Sequence, residues 1–284
     1  MNVILGKTER IAEKMTQEPA FIHGTHPEEQ ERLSLLNDLT NASFLDFLEI
    51  KPGDSVLEVG SGLGILANSV AVRFPSSDVT GIEIAPEQIE LALANFSETP
   101  NLRFLLGNAL SLEIEDSSFD VVYCRYVLEH VSDPATALSE MFRVLRAGGK
   151  LFVQENNILI NALYPDCPSY SLVLKKFADL QSQIGGDAEI GKKLFSLLKR
   201  AGFASISLSI GPEVHHYDLP TFDPWIVNSI EILKGARNRL LALDGVSESL
   251  IEDAIAELNG LRKDPYASAY FYWNRASAIK PKTT

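Results

Sequence analysis

The chain has 284 residues, of which 45% are hydrophobic, and its formal net charge is −13. This length and apolar content predict a globular protein with one large domain, or a core domain under a helical lid. The acidic balance argues against free DNA or RNA as a partner, because nucleic-acid affinity depends largely on Lys and Arg neutralising phosphates.

The cysteine content and the lack of long apolar runs indicate the cellular environment. Cys124 and Cys167 are too few for a disulfide framework and have no metal-ligand spacing. No apolar run approaches the roughly 20 residues that cross a bilayer. The N-terminal sequence MNVILGKTERIAEK lacks a signal-peptide pattern. We therefore expect a cytoplasmic protein with no membrane contact and no metal site.

Short apolar runs alternate with helical stretches along most of the chain. Residues 28–49 place leucines and phenylalanines at helical intervals and predict one or two amphipathic helices. Strands are predicted at 55–59, 78–83, 102–106, 119–124, 150–154, 205–210 and 267–279. Further helices are predicted at 63–74, 87–96, 134–146, 170–183, 190–201, 225–243 and 247–261. This alternation predicts an α/β fold with a doubly wound, mostly parallel sheet of seven strands.

No repeat or flexible linker divides the chain into independent domains. The pattern nevertheless changes after the fifth predicted strand, where two insertions interrupt the alternation and suggest a lid. We expect an N-terminal helical cap (1–50), a cofactor-binding α/β core (51–156), a lid insertion (157–189), a continuation of the core (190–211), a helical insertion (212–264) and a closing strand with the C-terminus (265–284).

The most informative segment is Val56–Gly64, a buried strand that runs into a glycine-rich turn and then a helix. Ligands of open α/β sheets bind beyond the carboxyl ends of the strands, where such a turn lets the backbone approach closely. A dinucleotide fingerprint requires glycine where this chain has Ile65. Glu58 would also lie awkwardly beside a pyrophosphate, but a carboxylate suits a ligand with sulfonium and ammonium groups. The spacing therefore disfavours NAD.

This turn, E-x-G-x-G-x-G after an apolar strand, resembles the first motif of class I S-adenosylmethionine-dependent methyltransferases. Further segments resemble later family motifs in the right order: Gly81-Ile82-Glu83-Ile84, Gly107-Asn108-Ala109, Phe119–Val122 with Leu128–Val131, and Leu145–Gly149. Where the family usually has Asp, this chain has Asn108. The match covers about residues 50–155, and 190–203 extends it. The resemblance implies a Rossmann-like methyltransferase fold.

The resemblance also implies S-adenosylmethionine as cofactor and S-adenosylhomocysteine as product. Glu83 would bind the ribose hydroxyls, Asn108 would accept a hydrogen bond from the adenine amino group, and the backbone carbonyls of Arg125 and Gly60 would meet the methionine ammonium. His23 and Thr25 lie where relatives have a lid, although a surface turn is an equal alternative. The expected cofactor residues are Glu58, Gly60, Ser61, Gly62, Glu83, Ile84, Gln88, Asn108, Ala109, Arg125, His23 and Thr25.

The candidate catalytic and acceptor-binding residues follow strands four and five or lie in the insertions. His130 is the first candidate for a general base, with a structural or cofactor-side role as the alternative. Glu155 is the second catalytic candidate, with a hydrogen-bonded turn as the alternative. The expected acceptor-binding residues are Tyr126, Asn156, Asn157, His215 and Tyr164.

Methyl transfer is an in-line displacement that needs mainly correct positioning of the nucleophile. The acidic chain and its enclosing insertions predict a small-molecule acceptor with an oxygen or nitrogen nucleophile. A homodimer is one option for its assembly. Methylation of a protein or tRNA remains an alternative, as does a non-catalytic protein that binds S-adenosylmethionine. A nicotinamide oxidoreductase is disfavoured by Ile65.

Overall fold

The computed structural model describes residues 27–282, which form one sheet covered by helices on both faces. The helices are α1 (Pro27–Phe47), α2 (Ile65–Arg73), α3 (Pro86–Phe96), α4 (Pro134–Val144), α5 (Pro168–Gln183), α6 (Leu194–Arg200), α7 (Phe222–Leu240) and α8 (Glu248–Leu261). The strands are β1 (Ser55–Val59), β2 (Asp78–Glu83), β3 (Leu102–Leu106), β4 (Phe119–Arg125), β5 (Leu145–Glu155), β6 (Asn161–Tyr164), β7 (Ala204–His216) and β8 (Ser268–Ile279).

The strands β3-β2-β1-β4-β5 run parallel, and β8 joins them antiparallel beside β5. Strand β7 pairs with one edge of β8 along the whole of β8. The other edge of β8 pairs first with β6 and then with β5. The central strand β1 is buried on both faces, as expected when helices cover a parallel sheet on both sides. The predicted doubly wound α/β fold is confirmed.

The sheet has eight strands among the described residues, and the prediction of seven was wrong. Strand β6 has only four residues inside the predicted lid, too few for a periodic signal. Strand β7 continues through Gly211 and Pro212 to His216, where a helical insertion was expected. It tolerates proline there because it is an edge strand of the described sheet, paired with β8 on one side.

In the part of the chain that the structure describes, three apolar clusters hold these layers together. One joins α1, α2 and α3 to one face of the sheet, with Phe44 and Tyr123 fully buried, and another joins α4 and α6 to the opposite face. The third cluster contains Val173, Ile226 and Ile251 and packs α5, α7 and α8 against the end of β8. The insertions therefore have a hydrophobic core of their own above the carboxyl ends of the parallel strands. Within residues 27–282, no helix has the length and apolar character to cross a bilayer.

Candidate active site

The glycine-rich turn after β1 adopts a backbone that side chains would obstruct. Gly60 and Gly62 have φ of +75° and +51°, in the left-handed region that favours glycine. A Cβ on Gly60 would overlap the side chain of Val127, which follows β4. The N–H groups of Gly60 and Ser61 both donate to the carbonyl of Ile82 at 2.8 Å. These contacts hold the turn open at the carboxyl edge of the sheet.

Glu83 ends β2 beside this turn and is buried. Its Oε1 accepts the N–H groups of Ile84 at 2.8 Å and Ala85 at 2.9 Å, while its Oε2 accepts the N–H of Gly62 at 3.0 Å. A carboxylate has about four lone-pair sites, so Oε2 can still accept a hydroxyl donor. The backbone therefore holds this carboxylate at the mouth of the turn.

Glu58 lies inside β1 below the turn and accepts a hydrogen bond from the Tyr123 hydroxyl at 3.1 Å. Burial raises the pKa of its carboxyl to about 8, although the nearby Arg125 guanidinium opposes the shift. A cation placed beside Glu58 would favour its ionised form and lower this pKa. The site is therefore suited to a positively charged ligand group.

Asn108 follows β3 and uses its side chain locally. Its Oδ1 accepts the N–H of Leu110 at 2.9 Å, which forms a short side-chain turn. An amide oxygen has a second lone pair, and its NH₂ group can also donate. The departure from Asp therefore removes one acceptor oxygen and adds a donor at this edge.

Arg125 contributes its side chain to the structure of the site, although the sequence predicted a role only for its backbone carbonyl. Its guanidinium donates to Asn37 Oδ1 at 2.5 Å, to Asn41 Oδ1 at 2.7 Å and to Thr40 Oγ1 at 3.2 Å. All three acceptors lie on α1. Arg125 thus fastens this helix over the end of β4, next to Glu58.

A cavity of about 560 Å³ extends from the glycine turn to the helical insertions. All ten expected cofactor residues within the described part of the chain line it: Glu58, Gly60, Ser61, Gly62, Glu83, Ile84, Gln88, Asn108, Ala109 and Arg125. His23 and Thr25 lie outside the described residues. Of the other candidates, His130, Tyr126 and Asn156 also line the cavity.

His130 lines the cavity from the segment that follows β4. Its Nε2 is 3.6 Å from Glu129 Oε1, and its side chain is partly exposed. Glu129 also lines the cavity, although the sequence analysis did not single it out. The two side chains form an acid–base pair beside the expected position of the acceptor.

Glu155 does not face the cavity, contrary to expectation. Its fully buried carboxylate accepts backbone N–H groups from Val127 at 3.1 Å, Leu128 at 2.9 Å and Glu129 at 3.3 Å. Burial, together with the nearby charge of Glu129, raises the pKa of Glu155 to about 8. Glu155 is therefore a structural residue that shapes the loop carrying His130, which is the hydrogen-bonded alternative considered above.

Three further acceptor candidates also lie outside the cavity lining. Asn157 is buried away from it, and Tyr164 is 62% exposed at the end of β6. His215 is in strand β7, not in a loop; its ring stacks on Trp225 at 4.7 Å and its Nδ1 lies 2.8 Å from Thr221 Oγ1. Strand alternation turns His215 inward, but behind the residues that face the cavity.

Most of the other residues that line the cavity were not predicted from the sequence. No site residue was assigned to α1 or α7, and the one residue assigned to β6, Tyr164, is exposed. The cavity-lining residues not selected from sequence include Arg32, Asn37, Glu129, Asn161, Tyr170, Phe177, Gln181, Trp225, Asn228, Phe271 and Trp273. The one available signal was the aromatic content of 267–279, but this is equally typical of a buried strand.

A family model described as a methyltransferase domain matches residues 57–153. A demethylmenaquinone methyltransferase of Lactococcus lactis is 30% identical over 192 residues, covering 60% of this chain and 69% of the relative. An O-methyltransferase of Aspergillus nomiae is 30% identical over 195 residues, covering 66% of this chain and 83% of the relative. Both relatives align with more than the glycine-turn region.

Other matches cover only part of the relative. An uncharacterised 37.1 kDa transposon protein of Streptomyces fradiae is 37% identical over 164 residues, which are 56% of this chain and 46% of that protein. The solved structure of Haemonchus contortus phosphoethanolamine N-methyltransferase 2 with S-adenosyl-L-methionine has a TM-score of 0.54 at 20% identity and covers 89% of this chain. This chain spans 53% of that structure, and at 20% identity the likeness concerns the fold alone.

Proposed function

Because the chain belongs to the class I S-adenosylmethionine-dependent methyltransferases, we propose that it transfers a methyl group to an oxygen or nitrogen atom of a small-molecule acceptor. The observation that carries the proposal is the cavity of about 560 Å³, which is lined both by the glycine turn and by residues of the helical insertions. A volume of this order is typical of small-ligand sites.

The cofactor end has the chemistry that S-adenosylmethionine requires. Gly60 and Gly62 leave backbone space that a Cβ would fill, and Glu83 Oε2 keeps an acceptor site for a ribose hydroxyl. Glu58 provides a buried carboxylate for the positive charge. When bound, S-adenosylmethionine supplies an electrophilic methyl group on a sulfonium, and its transfer leaves S-adenosylhomocysteine.

His130 is proposed as the base that takes the proton of the acceptor. It lines the cavity, and Glu129, 3.6 Å away, would stabilise the imidazolium that forms. Binding in the cavity would hold the acceptor near the methyl group, so positioning carries much of the rate. Glu155 supports this arrangement through the loop backbone and takes no proton from the acceptor.

Methylation of a macromolecule is the second candidate. Residues of α1, α5 and α7 line the cavity together with the sheet, an arrangement that suits a small molecule better than a protein or tRNA surface. The net charge of −13 also opposes an RNA partner. These observations support a small-molecule acceptor over the alternative.

Cofactor binding and turnover can be tested separately. Titration calorimetry with S-adenosylhomocysteine and with NADH should give binding of the first and none of the second; the reverse would refute the proposal. Wild type, His130→Ala and His216→Ala would then be compared for methyl gain by mass spectrometry on a panel of phenols and amines. We expect His130→Ala to lose at least tenfold in kcat with unchanged S-adenosylhomocysteine affinity, and the exposed His216→Ala to match wild type.

A further inference from the structure

Part of the cavity wall is aromatic. Trp273 packs against Tyr126 at 4.5 Å and Phe271 at 4.7 Å between ring centroids, and Trp225 lies 5.8 Å from Phe271. All four rings line the cavity. We call the part of the cavity bounded by these four rings the aromatic chamber. Such a surface favours flat apolar ligands that stack or meet ring edges.

Glu213 and His215 hold this wall from behind, whereas the Arg125 guanidinium lies over the Tyr126 ring, 5.2 Å from its centroid. Trp273 Nε1 donates to the buried Glu213 at 2.9 Å, and His215 stacks on Trp225. Glu213 and His215 lie 3.4 Å apart, and neither lines the cavity. The pair therefore fixes the orientation of two tryptophans and leaves their outer surfaces uncharged.

The charged side chains that do line the cavity already have partners among the described residues. Arg125 makes three hydrogen bonds to α1, and Arg32 donates to Asn228 Oδ1 at 2.9 Å. Glu129 lies beside His130, and Glu58 and Glu83 belong to the cofactor end. A phosphate on the acceptor would have to displace one of the arginine contacts, and an ammonium would compete with His130 for Glu129; either exchange carries a desolvation cost.

Neutral polar groups near the chamber still have hydrogen-bonding capacity. Asn156 Oδ1, Asn161 Oδ1 and Trp225 Nε1 are buried and have no hydrogen-bond partner among the described residues. The two amide oxygens are acceptors and the indole N–H is a donor. Hydroxyl groups on a ligand can donate to the former and accept from the latter, whereas an apolar ligand would leave all three groups unsatisfied.

From these contacts we infer that the acceptor is an uncharged aromatic compound with hydroxyl groups, one of which receives the methyl group. This inference rests on the proposed function and narrows its acceptor. The ring lies against the wall of the aromatic chamber, and one hydroxyl approaches His130. The acceptor oxygen forms a bond to the methyl carbon while the sulfur–carbon bond breaks, its electron pair stays on sulfur, and the hydroxyl proton passes to His130.

Three catechols that differ in one substituent test the charge preference. Calorimetry would measure the binding of 4-propylcatechol, dopamine and 3,4-dihydroxyphenylacetate to the protein saturated with S-adenosylhomocysteine. We expect the neutral compound to bind at least tenfold more tightly than the cation and the anion. Equal or tighter binding of a charged compound, or no binding of 4-propylcatechol, would overturn the inference. Failure of S-adenosylhomocysteine itself to bind would instead overturn the proposed function.

A pair of variants at Ile232 provides a second test. Ile232 lines the cavity from α7 and is only partly buried, so a polar side chain there need not prevent folding. Ile232→Asp should shift the affinity ratio at least tenfold towards dopamine, because it adds a carboxylate near the ligand. Ile232→Asn has the same shape without the charge and should shift the ratio less than threefold. Equal ratios in the two variants, each with intact S-adenosylhomocysteine affinity, would contradict placement of the acceptor there.

Discussion

Gly60 combines a left-handed backbone with a close neighbour, and both features depend on the absence of a side chain. We predict that Gly60→Ala lowers S-adenosylhomocysteine affinity more than tenfold, because the new Cβ would meet Val127 at the mouth of the site. The positive φ adds about 1–3 kcal/mol of backbone strain. Calorimetry and urea unfolding would measure the two effects.

Gly53 is the matched control for this substitution. It has a φ of +86°, but a Cβ on this residue would have no atom within 4 Å, and it precedes β1 at the opposite end from the turn. Gly53→Ala should therefore lose stability and keep its affinity. If both variants lost affinity equally, the effect would come from general destabilisation and not from the site.

Glu58 should make stability depend on pH. Its folded pKa of about 8 exceeds the unfolded value of 4.5, so the folded protein holds an extra proton between these values. Stability is then lost as pH rises from about 4.5 to about 8. We predict that Glu58→Gln flattens this decline in urea unfolding measured at pH 5 and pH 8, while the exposed Glu87→Gln leaves it unchanged. An identical slope in wild type and Glu58→Gln would show that Glu58 ionises freely in the folded state.

Helix α1 is fastened to the sheet by two buried arginines. Arg125 bonds to Asn37, Thr40 and Asn41, and Arg275 Nη2 donates to Ser43 Oγ at 2.9 Å. All of these acceptors are neutral side chains on one face of the helix. The docking of α1 therefore depends on hydrogen bonds to charged donors as well as on the burial of Phe44.

Loss of one such acceptor should loosen this helix. We predict that Asn41→Ala costs about 1–3 kcal/mol of unfolding free energy, because a buried guanidinium loses a partner. Asp46→Ala on the same helix breaks only an exposed ion pair with Arg73 and should cost about 0.2–1 kcal/mol. Chemical denaturation would measure both, and faster amide exchange in α1 of Asn41→Ala would locate the change. Equal costs would mean that Arg125 finds another partner.

The helices and strands of the sheet core follow local signals that the sequence contains. Asp133 caps α4 by accepting the N–H of Thr136 at 3.1 Å, and Pro134 begins that helix, at the predicted position. The helix ends at Val144, two residues before the predicted end, because β5 begins at Leu145. The pairing of β5 with β4 is irregular between Leu145 and Lys150, where Gly148 and Gly149 lie.

At the scale of the whole molecule, the net charge of −13 disfavours nucleic acid as a partner. We predict that fluorescently labelled tRNA shows no anisotropy change with this protein at about 150 mM salt, with or without S-adenosylhomocysteine. A saturable change that weakens as salt increases would instead favour a macromolecular acceptor and count against the enclosed small-molecule site. Repeating the titration with heparin would separate general polyanion binding from RNA recognition.

The fold class and the cofactor end could be predicted from the sequence, because those features depend on neighbouring residues. Val56–Gly64, Glu83 and Asn108 each lie at or directly after the end of a strand, and parallel strands bring their carboxyl ends together. The acceptor end emerged only from the folded chain. Trp225 and Trp273 come from elements far apart in the sequence and meet through the packing of α7 on β8, for which no local pattern exists. Tertiary structure likewise decides the role of Glu155, because the pairing of β4 with β5 brings the backbone N–H groups that follow β4 within reach of its carboxylate.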